Sequence, residues 1–185
     1  MRLFISINFD EQTKQKIKEK QDILKKYSSS RNFTKKDNLH ITLVFLGEIE
    51  SKQLSKIKNI MAEIKLPSFY INITKYGMFK HNNNIFWLEI SKNNILNNLY
   101  LEIYNKLTDA GFNIEFRKFV PHLTIVRELK IKDTINGHSI SNIIDELNSK
   151  YQDKIVLKVN KFSLMNSERI NGKLTYTELF NQKLE

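Results

Sequence analysis

The sequence predicts an α+β fold built from two similar halves, each a β-α-β-α-β unit, with two antiparallel sheets around a central cleft and the helices outside. First, segments with alternating apolar residues, typical of strands, are interspersed with segments whose apolar residues recur every three or four positions, as in helices. Second, this series occurs twice, because His122 follows His40, and Phe86 follows Phe4, by 82 positions. A repeat of this kind predicts two related lobes about a pseudo-two-fold axis.

The chain is long enough for one domain with a substantial core. It has 185 residues, of which 41% are hydrophobic, and domains of this size bury most of their apolar surface. No long segment rich in Pro, Gly or Ser divides the sequence. We therefore expect a single domain over residues 1–185, with lobes at about 1–80 and 81–165 and a closing strand over 173–179.

In the first half, the alternation of Leu3, Ile5, Ile7 and Phe9 predicts a strand over residues 2–9. A weakly amphipathic helix is predicted next, and an apolar run then predicts a second strand. A clear apolar stripe at helical spacing predicts the following helix, and a third strand completes the half. These four elements are predicted over residues 11–27, 39–46, 52–64 and 69–77.

The second half repeats the same order from residue 85. It begins with a strand and a helix that carries one apolar face, and Gly111 follows as the expected helix stop. A strand, a helix and a strand come next. The segment over 173–179 alternates only partly, so we expect it to be an edge strand. The five elements that precede this last strand are predicted over residues 85–90, 94–110, 119–127, 139–150 and 155–162.

Composition narrows the function classes. The chain has no cysteine, which excludes disulfides, thiolate metal sites and a cysteine nucleophile. No glycine-rich frame for nucleotide phosphates is present, so chemistry with ATP or NAD is not expected. The formal charge of +10 would attract polyanions such as nucleic acid, although a solvated lysine-rich surface is an equal alternative.

No apolar run is long enough to span a membrane, and no signal peptide is recognised. We therefore expect a cytoplasmic protein without a membrane partner. We also expect a monomer, because no heptad repeat occurs.

Two H-x-T triplets carry the strongest chemical signal. Each lies in an apolar strand, where alternation places His40 with Thr42, and His122 with Thr124, on the face opposite the core residues. With four histidines and nine threonines in the chain, chance predicts about 0.2 such triplets. One isolated histidine in a strand is usually a surface residue. Two histidines at equivalent positions of a repeat indicate one shared site.

The residue types suit the opening of a cyclic phosphodiester. This reaction needs a base to take a proton from the attacking oxygen and an acid to protonate the leaving oxygen. Two imidazoles can fill both roles, and neighbouring hydroxyls can donate to phosphate oxygens. A metal is not expected, because threonine is a poor ligand and no carboxylate lies within either H-x-T strand segment.

The residues around the triplets resemble a known family. Segments 38–43 and 45–48, with Arg117, Phe119 and the segment 121–124 ending in Arg127, are similar to the two signatures of the two-histidine phosphoesterases. Within that superfamily the sequence resembles the bacterial and archaeal RNA 2′,3′-cyclic phosphodiesterases, also called 2′-5′ RNA ligases. The resemblance extends from residue 2 to residue 176.

The resemblance implies a bilobal α+β fold and an enzyme that needs no cofactor. Its substrate would be RNA or a nucleotide with a 2′,3′-cyclic phosphate, which it would hydrolyse to a 2′-phosphate end, with 2′-5′ ligation as the possible reverse reaction. In this analogy His40 donates a proton to the leaving 3′ oxygen, and His122 accepts one from water. Thr42 and Thr124 would hold the phosphate.

Three further residues match the family and are candidates for substrate binding. Arg127 closes the second signature and would bind phosphate, but strict alternation places it on the core face, so it needs a bulge or the strand end to reach the cleft. Phe4 would stack a base, with core packing as an equal alternative. Tyr176 matches a family tyrosine without an assigned role.

Six other positions carry structural expectations. Phe86 and Trp87 are expected in the core. Strict alternation also places Phe45 in the core and Val44 on the face of His40. The two remaining histidines, at positions 81 and 138, lack the strand and threonine context and are expected at the surface.

Two alternative functions keep the same residues. One is an enzyme acting on a small cyclic phosphate, such as a nucleotide or an ADP-ribose derivative. The other is an RNA-binding module that grips phosphates without turnover. Turnover in EDTA separates the binding module from the enzymes, and a comparison of oligonucleotide with mononucleotide separates the two enzymes.

Overall fold

The computed structural model describes residues 1–29, 32–79, 85–116, 118–130, 132 and 139–185. These residues form eight strands, four α-helices and two short 3₁₀ turns. The strands are β1 (Arg2–Asn8), β2 (His40–Glu48), β3 (Phe69–Phe79), β4 (Ile85–Ile90), β5 (His122–Val126), β6 (Ile155–Val159), β7 (Lys161–Ile170) and β8 (Lys173–Lys183). The helices are α1 (Glu11–Lys25), α2 (Leu54–Ala62), α3 (Asn94–Asp109) and α4 (Ile140–Lys150).

The strands form two four-stranded sheets in which every pairing is antiparallel. The first sheet has the order β2-β1-β7-β8 and the second the order β5-β4-β3-β6. In each sheet the strand with the H-x-T triplet is at the edge, beside the first strand of its half. The predicted α+β class with two antiparallel sheets is confirmed, and β8 is an edge strand as expected.

The division of the strands between the two sheets does not follow the lobe boundary that was expected near residue 80. β3 pairs with β4 and β6, so it belongs to the second sheet, and β7 and β8 return the chain to the first sheet. The predicted strand over 155–162 is in fact two strands, because the chain leaves one sheet at Asn160 and enters the other at Lys161. Each lobe is therefore built from segments of both halves of the sequence.

Each sheet packs its apolar face on two helices. α1 and α4 pack on the second sheet, where the Tyr76 hydroxyl of β3 donates to the Lys20 carbonyl in α1, and Asn148 of α4 bonds both backbone groups of Tyr76. α2 contacts β8 and α3 contacts β2, so this pair covers the first sheet. Side-chain caps fix the helix starts: Asp10 accepts from the Thr13 amide at 2.7 Å, and Asn93 from the Leu96 amide at 2.9 Å.

The two edge strands β2 and β5 contact each other. Their apolar side chains, including Ile41 and Leu123, are fully buried in the core, and the intervening polar residues face away from it. Period-two geometry therefore brings one polar face from each sheet to the same cleft.

Candidate active site

Both H-x-T pairs lie on the cleft side of their strands, as the alternation predicts. His40 and Thr42 are partly buried between buried neighbours, and His122 and Thr124 repeat this pattern. Across the first sheet His40 lies opposite Asn8. Across the second sheet His122 lies opposite a different residue, Glu89. The motif strands are thus related in position, while their neighbours differ.

Both imidazoles are fixed by a backbone carbonyl two residues earlier. His40 Nδ1 lies 2.7 Å from the Asn38 oxygen, and His122 Nδ1 lies 2.7 Å from the Val120 oxygen. A carbonyl oxygen only accepts, so Nδ1 carries the hydrogen in both rings. The other nitrogen, Nε2, is then a proton acceptor in the neutral ring and a donor in the charged ring. His40 Nε2 lies 3.0 Å from the Thr42 hydroxyl.

The pKa values of both histidines are lowered from the usual 6.5. For His40, burial is the largest cause of the lower pKa, and the charges of Arg127 and His122 lower it further against the opposing effect of the Asn38 carbonyl. For His122, burial again lowers the pKa most, with Arg127 adding to it and the Val120 carbonyl opposing. Since the charge of one imidazole acts on the other, the two rings share one electrostatic environment.

An aromatic ring stands edge-on to each imidazole. The Tyr176 ring meets His40 at 90° with 5.2 Å between centroids, and the Phe79 ring meets His122 at 89° and 4.9 Å. Burial raises the pKa of Tyr176, and the charges of Arg127 and Arg2 oppose this rise. The Tyr176 hydroxyl therefore keeps its proton at neutral pH and can donate a hydrogen bond.

Phe4 packs under the first imidazole. Its ring is 4.9 Å from the His40 ring and 5.0 Å from the Tyr176 ring. Only 1% of Phe4 is exposed, so no face of the ring is open to a nucleobase. The structure favours the packing alternative for Phe4 over the expectation that it stacks a base.

A bulge in β5 turns Arg127 toward the cleft. Thr124 pairs with Trp87, whereas Val126 pairs with the preceding residue, Phe86, so Ile125 is the extra residue of the bulge. Ile125 and Val126 are both buried, and the alternation is shifted by one position after them. Arg127 follows on the side of the histidines, and its charge acts on the pKa of both rings.

The same irregularity occurs in β2 and corrects two expectations. Thr42 pairs with Ser6 and Val44 with Ile5, so Leu43 is the extra residue. Val44 is therefore buried, with 3% exposed, and does not lie beside His40. Phe45 is 57% exposed on the cleft side, where its ring is 5.8 Å from that of Phe4. The expectation that Phe45 is a core residue was wrong because strict alternation ignores bulges.

The aromatic pair of β4 has mixed burial. Phe86 is fully buried, as expected for the core. Trp87 is only partly buried: it lies opposite Thr124 and packs against the Phe79 ring, with 5.3 Å between centroids. Its indole ring also covers Gly77, which leaves no space for a Cβ atom there.

The carbonyl anchors, Phe79 beside His122 and the exposed position of Phe45 were not predicted from the sequence. The repeat held a usable signal for the last of these, because Arg127 follows Phe45 by the same 82 positions that separate the histidines. The histidines at positions 81 and 138 and the arginine at position 117 lie outside the described residues.

Comparison with known proteins decides the family. The family model described as LigT-like phosphoesterase matches residues 7–87 and 88–176. The chain belongs to this family. The two matched stretches together span nearly the whole sequence, and their division follows the internal repeat of H-x-T strands.

Curated relatives in this family include RNA 2′,3′-cyclic phosphodiesterases. The protein of that name from Thermotoga maritima is 35% identical over 131 residues, which cover 69% of this chain and 70% of the relative. The one from Methanocaldococcus jannaschii is 34% identical over 75% of this chain and 81% of the relative. A third, from Methanothermobacter thermautotrophicus, is 27% identical and covers 97% of this chain and 96% of its own.

Solved structures share the fold. The crystal structure of E. coli LigT in apo form superimposes with a TM-score of 0.78 at 22% identity, over 99% of this chain and 96% of that one. Its complex with 3′-AMP gives 0.79 at 23% identity, over 99% and 97%. Identity at this level supports the two-lobed fold alone.

Within the described residues, no three His, Asp or Glu side chains are grouped as a metal ion would require. None of the helices in the same part of the chain combines the length and apolar character needed to cross a bilayer.

Proposed function

We propose that this enzyme hydrolyses the 2′,3′-cyclic phosphate end of RNA to a 2′-phosphate by acid–base catalysis with two histidines and no metal. The observation that carries the proposal is the pair of imidazoles on facing edge strands, each with Nδ1 held by a carbonyl. The curated relatives named RNA 2′,3′-cyclic phosphodiesterases support the substrate class.

In the proposed reaction a water molecule attacks phosphorus and the bond from phosphorus to the 3′ oxygen breaks. His122 Nε2 accepts the proton of the water, and His40 Nε2 donates a proton to the leaving 3′ oxygen. The lowered pKa of His122 supports the neutral form that a base requires. His40 must be charged to act, and the negative phosphate raises its pKa when substrate binds.

The phosphate would be held by groups around the two rings. The Thr42 hydroxyl is within hydrogen-bond distance of His40 Nε2, so it donates to the neutral ring and is released to donate to phosphate once Nε2 is protonated. Thr124 occupies the matching position beside His122. Arg127 would bind a non-bridging oxygen as the negative charge grows.

The proposal includes three expectations from the sequence. The enzyme is expected to be a cytoplasmic monomer, which fractionation and light scattering test. The reverse reaction, 2′-5′ ligation, uses the same groups but competes with water unless two RNA ends are held together. An oligonucleotide is expected to react faster than a mononucleotide, and the opposite order would favour the small cyclic phosphate alternative.

The decisive experiment is turnover of an oligonucleotide with a 2′,3′-cyclic phosphate in EDTA, with identification of the product end. We expect a 2′-phosphate, and a 3′-phosphate would exchange the leaving oxygen and overturn the assignment. His40→Ala and His122→Ala are each expected to lose at least about 10²-fold in kcat while they remain folded. Binding without turnover by the unaltered protein would instead identify an RNA-binding module.

A further inference from the structure

The backbone of the β5 bulge is held from outside the sheet. β5 is an edge strand, and the segment before β2 lies along its free side. The Thr34 amide donates to the Ile125 oxygen at 2.9 Å, and the Thr34 hydroxyl donates to the Thr124 oxygen at 2.9 Å. The Arg127 amide donates to the Asn32 oxygen at 3.2 Å.

One buried side chain joins these two segments. Gln21 of α1 is 1% exposed. Its Nε2 donates to the Ile125 oxygen and to the Thr34 oxygen, each at 2.9 Å. Ile125 is the extra residue of the bulge, and Thr34 lies six residues before His40 in the chain. A single amide group therefore ties the bulge of the second motif to the segment that leads into the first motif.

We infer that Gln21 is a positioning residue, which holds the β5 bulge so that Arg127 points to the phosphate site. The inference rests on the proposed function for its substrate. Without the bulge, alternation would return Arg127 to the core side of β5. The donors of Gln21 therefore act on the phosphate through the backbone and the guanidinium group.

The internal repeat offers a comparison. The residue 82 positions after Gln21 is Ile103, a fully buried residue of α3, the helix that contacts β2. β2 contains the matching bulge, but there it presents Phe45 to the cleft in place of arginine. The amide thus packs on the sheet whose bulge directs a charged group, and an aliphatic residue takes the matching position on the other sheet.

The test compares Gln21→Met, which keeps the shape of the side chain and removes both donors, with Ile103→Met as the matched control. We expect Gln21→Met to weaken binding of adenosine 2′-monophosphate by about 10-fold, because an ångström of misplacement has large effects on charged contacts. Ile103→Met should stay within about twofold. In turnover of a nucleoside 2′,3′-cyclic phosphate, we expect the loss in kcat as well as in KM, because Arg127 would also stabilise the charge that grows on the phosphate.

Coupling to Arg127 separates positioning from a purely structural role. If Gln21 acts through Arg127, Gln21→Met added to Arg127→Ala causes no further loss of affinity. Equal losses in both backgrounds, or a lower Tm with unchanged affinity in Gln21→Met, overturn the inference. If Gln21→Met does not fold, the same comparison is made with Gln21→Asn, whose shorter amide cannot reach both oxygens.

A measurement without ligand or turnover keeps this test independent of the proposed function. The charge of Arg127 lowers the pKa of His122, so NMR titration of the His122 ring reports where that charge lies. Gln21→Met should raise this pKa in the same direction as Arg127→Ala, and the double variant should show no additional rise. An unchanged titration in folded Gln21→Met would overturn the inference, whereas lack of turnover in the unaltered enzyme would overturn only the proposed function.

Discussion

At the scale of single residues, Arg127 is the one charge among the described residues that acts on all three titratable side chains of the site. Burial lowers the pKa of His40 and His122 most and the charge of Arg127 adds to this, whereas at Tyr176 the charge opposes the rise in pKa that burial causes. In the free enzyme, burial together with this charge holds both imidazoles neutral at pH 7. In the proposed mechanism, the histidine that acts as the general acid would therefore gain its proton at pH 7 when the negative substrate offsets the guanidinium charge.

This arrangement predicts how pH acts on Arg127→Ala. The profile of kcat/KM reports the free enzyme, and because the pKa of both histidines is below the usual 6.5, its bell should have its maximum on the acid side of that value. Removal of the positive charge raises the pKa of both rings, so both limbs should move to higher pH. We also expect kcat/KM at the optimum to fall about 10- to 100-fold, as a charged hydrogen bond to phosphate is lost.

Arg169→Ala is the control for charge alone, since Arg169 is exposed near the turn of the β7–β8 hairpin and donates to the Gly172 carbonyl three residues later. This variant should leave the profile in place. A shift of the Arg127→Ala profile to lower pH, or no shift, would contradict the electrostatic role of Arg127.

The residues predicted from the sequence and those it missed differ in a physical way. The cleft-side positions of His40 and His122 were predictable because a side-chain type in a repeated register is visible in the sequence. Their anchors were not, because the partners are backbone carbonyls at Asn38 and Val120, and any residue supplies a carbonyl. The direction of Arg127 also depended on backbone pairing.

At the scale of elements, single-residue changes of strand register decide which face of the sheet each side chain occupies. The bulges at Leu43 and Ile125 leave composition and hydrophobicity unchanged, yet each reverses the face of the residues that directly follow it, and so places Phe45 and Arg127 on the cleft side. β7 was missed for a related reason. As an interior strand it buries consecutive residues on both faces, including Ser163 to Met165, so it shows no alternation.

The pairing of β3 with β4, in which Gly77 lies opposite Trp87, predicts the effect of Gly77→Ala. Since Trp87 covers Gly77, a methyl group there overlaps the indole ring and must displace it. We expect a loss of about 1–3 kcal/mol in stability, measured by thermal unfolding. Because this is the only tryptophan of the chain, its emission should change as well, and activity should fall because Trp87 lies opposite Thr124.

A double variant tests whether that overlap is the cause. In Trp87→Leu the ring is gone, so Gly77→Ala should destabilise this background much less than the unaltered protein. The same loss in both backgrounds would show that the backbone of Gly77, and not the indole ring, sets the requirement for glycine.

The whole molecule is an interlocked pair of lobes rather than two halves in sequence. The first half supplies α1 to the second sheet, and the second half supplies α3, β7 and β8 to the first. Each motif strand is thus supported by elements from both halves. Unfolding of one lobe would remove helices or strands from the other, so we expect the lobes to unfold together.

Net charge is the remaining property of the whole molecule, and it predicts the salt dependence of RNA turnover. If about three phosphates of an oligonucleotide contact the basic surface, KM should rise roughly 20-fold between 50 and 200 mM salt, following the counterion release of single strands. A mononucleotide with one phosphate should change only about threefold. Steady-state kinetics on a 2′,3′-cyclic-ended decamer and on adenosine 2′,3′-cyclic phosphate measure both. Equal salt slopes for the two substrates would assign the charge of +10 to solvation of the surface, because RNA beyond the terminal phosphate would then make no ionic contact.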